Sequence, residues 1–143
     1  MNAVVQNVPS IDEINASMVA FIKERGLERV DPEPIHYHTD ELYGRRIVVP
    51  TDTVFTTKVH KSDHIAVCLR GHITIMDEHG NRTDVVAPDV FITPKGTQRF
   101  IFVHDEVEWL TVHHCEEQEM DKIEKALVCD TMADYNRLLE APK

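Results

Sequence analysis

The sequence is short of cysteine, of basic charge and of long apolar runs, and each shortage excludes something. Its three cysteines, Cys68, Cys115 and Cys129, are odd in number and include no CxxC pair. A disulfide framework is therefore not expected, and a reducing compartment such as the cytoplasm is. No apolar run approaches the roughly 18 residues that would span a membrane. Met1–Gln6 carries neither a basic segment nor a long apolar stretch, so no signal peptide is expected there. Lys and Arg number 15 against 25 Asp and Glu, a formal net charge of -10. That balance argues against a nucleic acid duplex, whose phosphates need a basic surface. It suits a small-molecule or protein partner. There is no Gly-rich phosphate loop, GxSxG elbow or kinase motif, so covalent nucleophilic catalysis has no support.

What is present describes one ordinary domain. The chain has 143 residues, 42% apolar and 28% charged, enough for a single core. Three stretches are expected: an N-terminal tail, helix and linker over 1–34, a β-barrel over 35–115, and C-terminal helices over 116–143. The first nine residues read as a loose tail. Ser10 with Glu13 three residues later forms a capping box that opens a helix. Ile11, Ile14, Met18, Phe21 and Ile22 would share its apolar face, and Gly26 would cap its end. Asp31-Pro32-Glu33-Pro34 marks a linker.

From Arg46 short β-branched runs alternate with turn residues, the texture of a sandwich or barrel. Strands are expected at 46–49, 53–60, 65–70, 72–76, 82–86, 89–93, 98–103 and 107–113. Gly71 would separate two of them, Glu78-His79-Gly80-Asn81 would form a hairpin turn, and Asp105-Glu106 another turn. Cys68, inside Ile65-Ala66-Val67-Cys68-Leu69, reads as a core thiol, and Trp109 as a core residue. Glu116-Glu117-Gln118-Glu119 would start a helix running to Val128, and a last helix would follow Asp130 or Thr131. His36-Tyr37-His38 followed by Glu41 is a tempting ligand pattern, but its place just after the linker favours a surface or dimer-contact loop.

Eight short strands, a glycine-separated central pair and a PxG turn resemble the cupin superfamily. Its first motif, HxHxxxE, six residues and Gly, is anchored here by Gly71. Counting back places His64 at the Glu position, His60 at the second His and Lys58 at the first. Its second motif, Gly, five residues, PxG, two residues and His, is matched by Pro94-Lys95-Gly96, with Pro88 at the Gly and Arg99 at the His. The resemblance covers roughly residues 46 to 113. It implies a mainly β fold, a cupin-like double-stranded β-helix or jelly-roll barrel, and a homodimer. The run His60 to His64, with Pro94 to Arg99 and Trp109 to His113, also resembles small uncharacterised cupin-like proteins of tailed bacteriophages. That likeness implies a viral protein acting in a bacterial cytoplasm.

The standard cupin site holds its metal with three imidazoles and one carboxylate. Lys58 and Arg99 carry no lone pair to donate at neutral pH, so a four-ligand site cannot form at those positions. Three readings remain. The barrel is a non-enzymatic interaction module that docks a host protein or a second copy. Or Lys58, His60, His64 and Arg99 converge on a small anionic ligand, a carboxylate or phosphate. The alternative is a remodelled zinc or iron site of His60, His64 and His113 with oxygenase, isomerase or hydrolase chemistry. His104 and His114 are the lesser candidates for the third ligand. Residues 107–113 leave the third imidazole's direction open, because each face of that strand mixes apolar and polar members.

Overall fold

Residues that alternate between core and solvent along extended backbone build nearly half of the described chain. The computed structural model describes residues 9–26 and 32–140. Most of the expected N-terminal tail and Asp31 of the linker therefore lie outside the described residues. In chain order the elements are α1 (Ile11–Arg25), β1 (Ile35–His38), β2 (Leu42–Val49), β3 (Thr53–Thr56), β4 (Val59–His60), β5 (His64–Met76), β6 (Arg82–Val86), β7 (Asp89–Thr93), β8 (Phe100–His114), α2 (Met120–Leu127), β9 (Val128–Cys129) and α3 (Met132–Glu140).

Seven strands form one antiparallel sheet in the order β1-β2-β8-β5-β6, with β3 also on β8 and β7 also on β5. β4 and β9 make a separate two-stranded piece. The fold is mainly β with helices at both ends, as expected. Its inner face buries Val49, Cys68, Ile73, Ile75, Val85, Ile101, Val103 and Val107, with Ile47, Phe55, Phe91 and Trp109 packed against them. Each fully buried Val or Ile contributes roughly 1.5–3 kcal/mol by leaving water. All three cysteines are free and buried. Cys68 is a core thiol as read, and burial pushes its pKa up.

The long central strands correct the sequence reading. β5 runs through Gly71 instead of stopping there. Gly71 has φ +101, and a Cβ on it would sit 2.3 Å from the Glu106 carbonyl oxygen. The β5–β8 register shifts between Cys68 and Ile73. The glycine thus permits a bulge, which bends a strand without ending it. β8 likewise runs through Asp105-Glu106, read as a turn. His36-Tyr37-His38 is not a loop but part of β1, paired with β2. β2 itself begins at Leu42, four residues before the expected start.

The helices close over one end of this framework. Ser10 Oγ accepts the Glu13 N–H at 3.1 Å, as the capping box requires. Gly26 takes φ +62 at the end of α1. Ile11 is buried, but Phe21 is exposed beneath the Arg25 guanidinium, so the apolar face of α1 is shorter than its sequence suggested. The Asp12 carboxylate accepts hydrogen bonds from Gln98 Nε2 at 2.8 Å and from the Met132 N–H at 3.3 Å, tying α1 to both barrel and α3. α2 starts at Met120 rather than Glu116. It buries Ile123 and Leu127 with Tyr43 and Cys115 in a second small core. The chain then becomes β9 and pairs with β4. No described helix is long and apolar enough to cross a membrane.

Candidate metal centre

Register alone sets up a row of rings across the inner face. His38 pairs with Tyr43, and Tyr43 pairs with His113. Val112 pairs with Ile65, which brings His64 beside His113, and His64 in turn pairs with Thr93. Side chains alternate along a strand, so Trp109, Thr111 and His113 all face inward and line one cavity. That settles the direction the sequence left open. His114, one residue on, is exposed, and His104 lies elsewhere on the sheet.

His60 arrives from outside this sheet. Its backbone pairs with Val128 of β9, and its carbonyl accepts the Gly96 N–H at 2.8 Å. Asp63 Oδ1 accepts the Lys95 N–H at 2.8 Å. The Pro94-Lys95-Gly96 turn therefore grips the His60–His64 segment at both ends. Gly96 has φ +76, and a Cβ there would press on the Tyr135 ring at 2.9 Å.

The result is a cluster of three imidazoles. Ring centroids lie 4.2 Å apart for His60–His64, 4.5 Å for His64–His113 and 5.7 Å for His60–His113. One ring nitrogen from each lies within 4.8 Å of the others. His64 and His113 are buried, and His60 is half-buried. Burial, reinforced by the neighbouring imidazoles, pushes His60 down to about 3, and burial with His64 beside it pushes His113 down to about 4. Burial also lowers His64, against the opposing pull of the Ser62 backbone. Neutral imidazoles keep the lone pairs that a cation needs. His64 Nδ1 is shielded from solvent and has no hydrogen-bond partner. An orphaned buried nitrogen costs about 1–3 kcal/mol, and a cation among the three rings would satisfy it. His113 Nε2 is committed to Thr111 Oγ1 at 2.9 Å, which orients the ring and leaves Nδ1 available.

The cavity around the cluster measures about 770 Å³. Tyr43, Phe55 and Trp109 line it, together with Arg45, Arg99 and Glu124. Arg99 is half-buried, 3.4 Å from Thr93 Oγ1 and over the Phe91 ring. Lys58 also reaches the cavity, but its amine pairs with Asp130 at 3.3 Å. The four residues read as an anion site thus split: two imidazoles join His113, Arg99 stands on the wall, and Lys58 is engaged at the rim. Tyr43, Arg45, Thr111 and Glu124 escaped the sequence reading. Tyr43 and Arg45 share the inward parity of Ile47 and Val49, but this signal lies in the part of β2 read as loop.

No protein-family model matches the chain, and no curated protein matches it. Solved structures do. A protein of Neisseria meningitidis has TM-score 0.53 at 9% identity, covering 65% of this chain and 93% of that one. A cupin-2 domain-containing protein of Shewanella frigidimarina has TM-score 0.50 at 12% identity, over 66% and 92%. A cupin domain of Bordetella pertussis has TM-score 0.51 at 12% identity, over 63% and 99%. Identities this low speak for the fold alone. The antiparallel jelly roll, its closing helices and these structural likenesses together identify the chain as a protein of the cupin fold.

Proposed function

We propose that this chain is a metal-binding cupin-fold protein that holds one zinc or ferrous ion through His60, His64 and His113 and acts on a small anionic substrate. The observation that carries the reading is the convergence of the three imidazoles. Three neutral nitrogen ligands with an open position suit either ion. A structure described as iron(II) HppE with substrate shares the fold at TM-score 0.50 and 11% identity, over 62% of this chain and 57% of that one. A divalent ion bound here supplies Lewis acidity toward a substrate oxygen or a water molecule.

The chain's own residues would do the rest. Arg99, oriented by Thr93, and Arg45 at the mouth place positive charge beside the cluster. Their planar forks bind a carboxylate or phosphate in two-point fashion. Phe55 and Trp109 give the cavity part of its apolar wall. This favours the metal reading over a ligand-free interaction module, and it keeps the anion as substrate. The likeness to tailed-phage proteins supports action in an infected bacterial cytoplasm.

A second copy would cover the part of the outer face formed by β1, β7 and the start of β5. Ile65, Val90 and Ile92 are exposed there, and so are Ile35 and Tyr37. Ile65 pairs with Ile92 and Val112, and Val67 with Val90 and Leu110. The apolar face therefore continues across strands to β7, which pairs only with β5 among the described residues. A contiguous apolar face ending at an open strand edge suits self-association.

Elemental analysis of purified protein tests the metal. Wild type is expected to contain zinc or iron, and His60→Ala is expected to contain one ion fewer per chain. Equal metal content in the two proteins, both folded, contradicts the reading.

A further inference from the structure

A second cluster of metal-ligating groups lies on the outer face of the sheet, away from the cavity. His64, Ala66 and Cys68 point inward from β5, and so do Ile73 and Ile75. The inward positions are even before the bulge and odd after it. The register shift at Gly71 therefore turns His72 and Thr74 outward, although His64 faces in. Asp84 of β6 pairs with Thr74 and shares its face. His104 is the extra residue of β8 between Val103, paired with Ile73, and Asp105, paired with His72. The bulge aims it at the same spot. At about 3.3 Å per residue, His72 stands roughly 26 Å along β5 from His64.

The three side chains meet. His72 and His104 stack with ring centroids 4.3 Å apart. Ligand atoms of His72, Asp84 and His104 all lie within 4.8 Å of one another. Thr74 Oγ1 sits between two of them, 2.5 Å from Asp84 Oδ1 and 2.6 Å from His104 Nε2, and holds both in place. His72 is left out: its Nε2 is 3.9 Å from Asp84 Oδ1, too far for a hydrogen bond. That nitrogen is shielded from solvent and has no partner. Two of the three orphaned side-chain atoms among the described residues are thus imidazole nitrogens, one in each histidine cluster.

We infer that His72, Asp84 and His104 form a second divalent-cation site, of two imidazoles and one carboxylate, that takes zinc. Imidazole and carboxylate together suit a borderline ion, and the exposed carboxylate side leaves positions for water. The ion would give His72 Nε2 its missing partner and tie β5, β6 and β8 together across the bulge.

The test is a calorimetric titration of the chelator-stripped full chain with zinc, on wild type, His104→Ala, Asp84→Asn and His60→Ala. His104→Ala and Asp84→Asn are each expected to lose one zinc per chain, or to bind it at least tenfold more weakly. His60→Ala is expected to keep this site, so failure at the inner cluster and failure here are read separately. Asp84 is exposed, and its neutral amide keeps the fold, so loss in that variant reports the ligand itself. Unchanged zinc stoichiometry and affinity in both His104→Ala and Asp84→Asn overturn the assignment.

Discussion

At the scale of single residues, the inner cluster depends on groups that are not ligands. Thr111 holds His113 by Nε2, and the Gly96 N–H holds the His60 carbonyl. Thr111→Val keeps the side-chain volume and removes the hydroxyl. It is expected to weaken metal binding roughly 10–100-fold with little change in the unfolding midpoint, measured by competition with a chromophoric chelator. Unchanged affinity would show that His113 needs no such support. Much of the cluster was legible: the spacing back from Gly71 singles out His60 and His64, and the end of the last strand suggests His113. The inward direction of His113 was not, because a two-residue period reads cleanly only when one face is uniformly apolar, and here Trp109 and Thr111 share its face. Tyr43 and Arg45 were missed because Gly44 between them masks a strand that tertiary pairing enforces.

At the scale of elements, Gly71 shapes both histidine clusters at once. It lets β5 bulge against β8, which keeps His64 inside and turns His72 out. The turn residues that seemed to cut β5 and β8 in two instead bend continuous strands. A local glycine or Asp-Glu pair cannot reveal this, since pairing partners far along the chain decide it. Gly71→Ala places a Cβ against the Glu106 carbonyl and forces an unfavourable φ on a side-chain-bearing residue. It is expected to lower unfolding free energy by roughly 3 kcal/mol, measured by urea titration. A loss below about 1 kcal/mol would mean that β8 can move aside at small cost. The start of α2 was misplaced for a different reason. Carboxylates at 116–119 favour a helix N-terminus, but the apolar positions that pack begin only at Ile123.

At the scale of the molecule, the jelly roll turns one face to a cavity and exposes Ile65, Val90 and Ile92 on the other. The outer apolar face predicts a dimer of about twice the 16.4 kDa chain in sedimentation velocity. Val90→Glu with Ile92→Glu is expected to give monomer while leaving the inner site's metal content unchanged. A wild-type monomer at the same concentration contradicts that part of the account. The fold class was legible in the alternation of short strands and turns. The rewritten positions 58 and 99 were legible as losses and His113 as the third candidate; what was not legible is the pairing of β5 with β8 that sets His113 beside His64. The central claim is that His60, His64 and His113 hold one divalent ion. Anomalous diffraction from crystals of metal-loaded protein, recorded at the zinc or iron edge, tests it most directly. The account predicts a peak bonded at about 2.0–2.1 Å to one nitrogen of each of the three imidazoles; loaded crystals with no peak between those rings would contradict it.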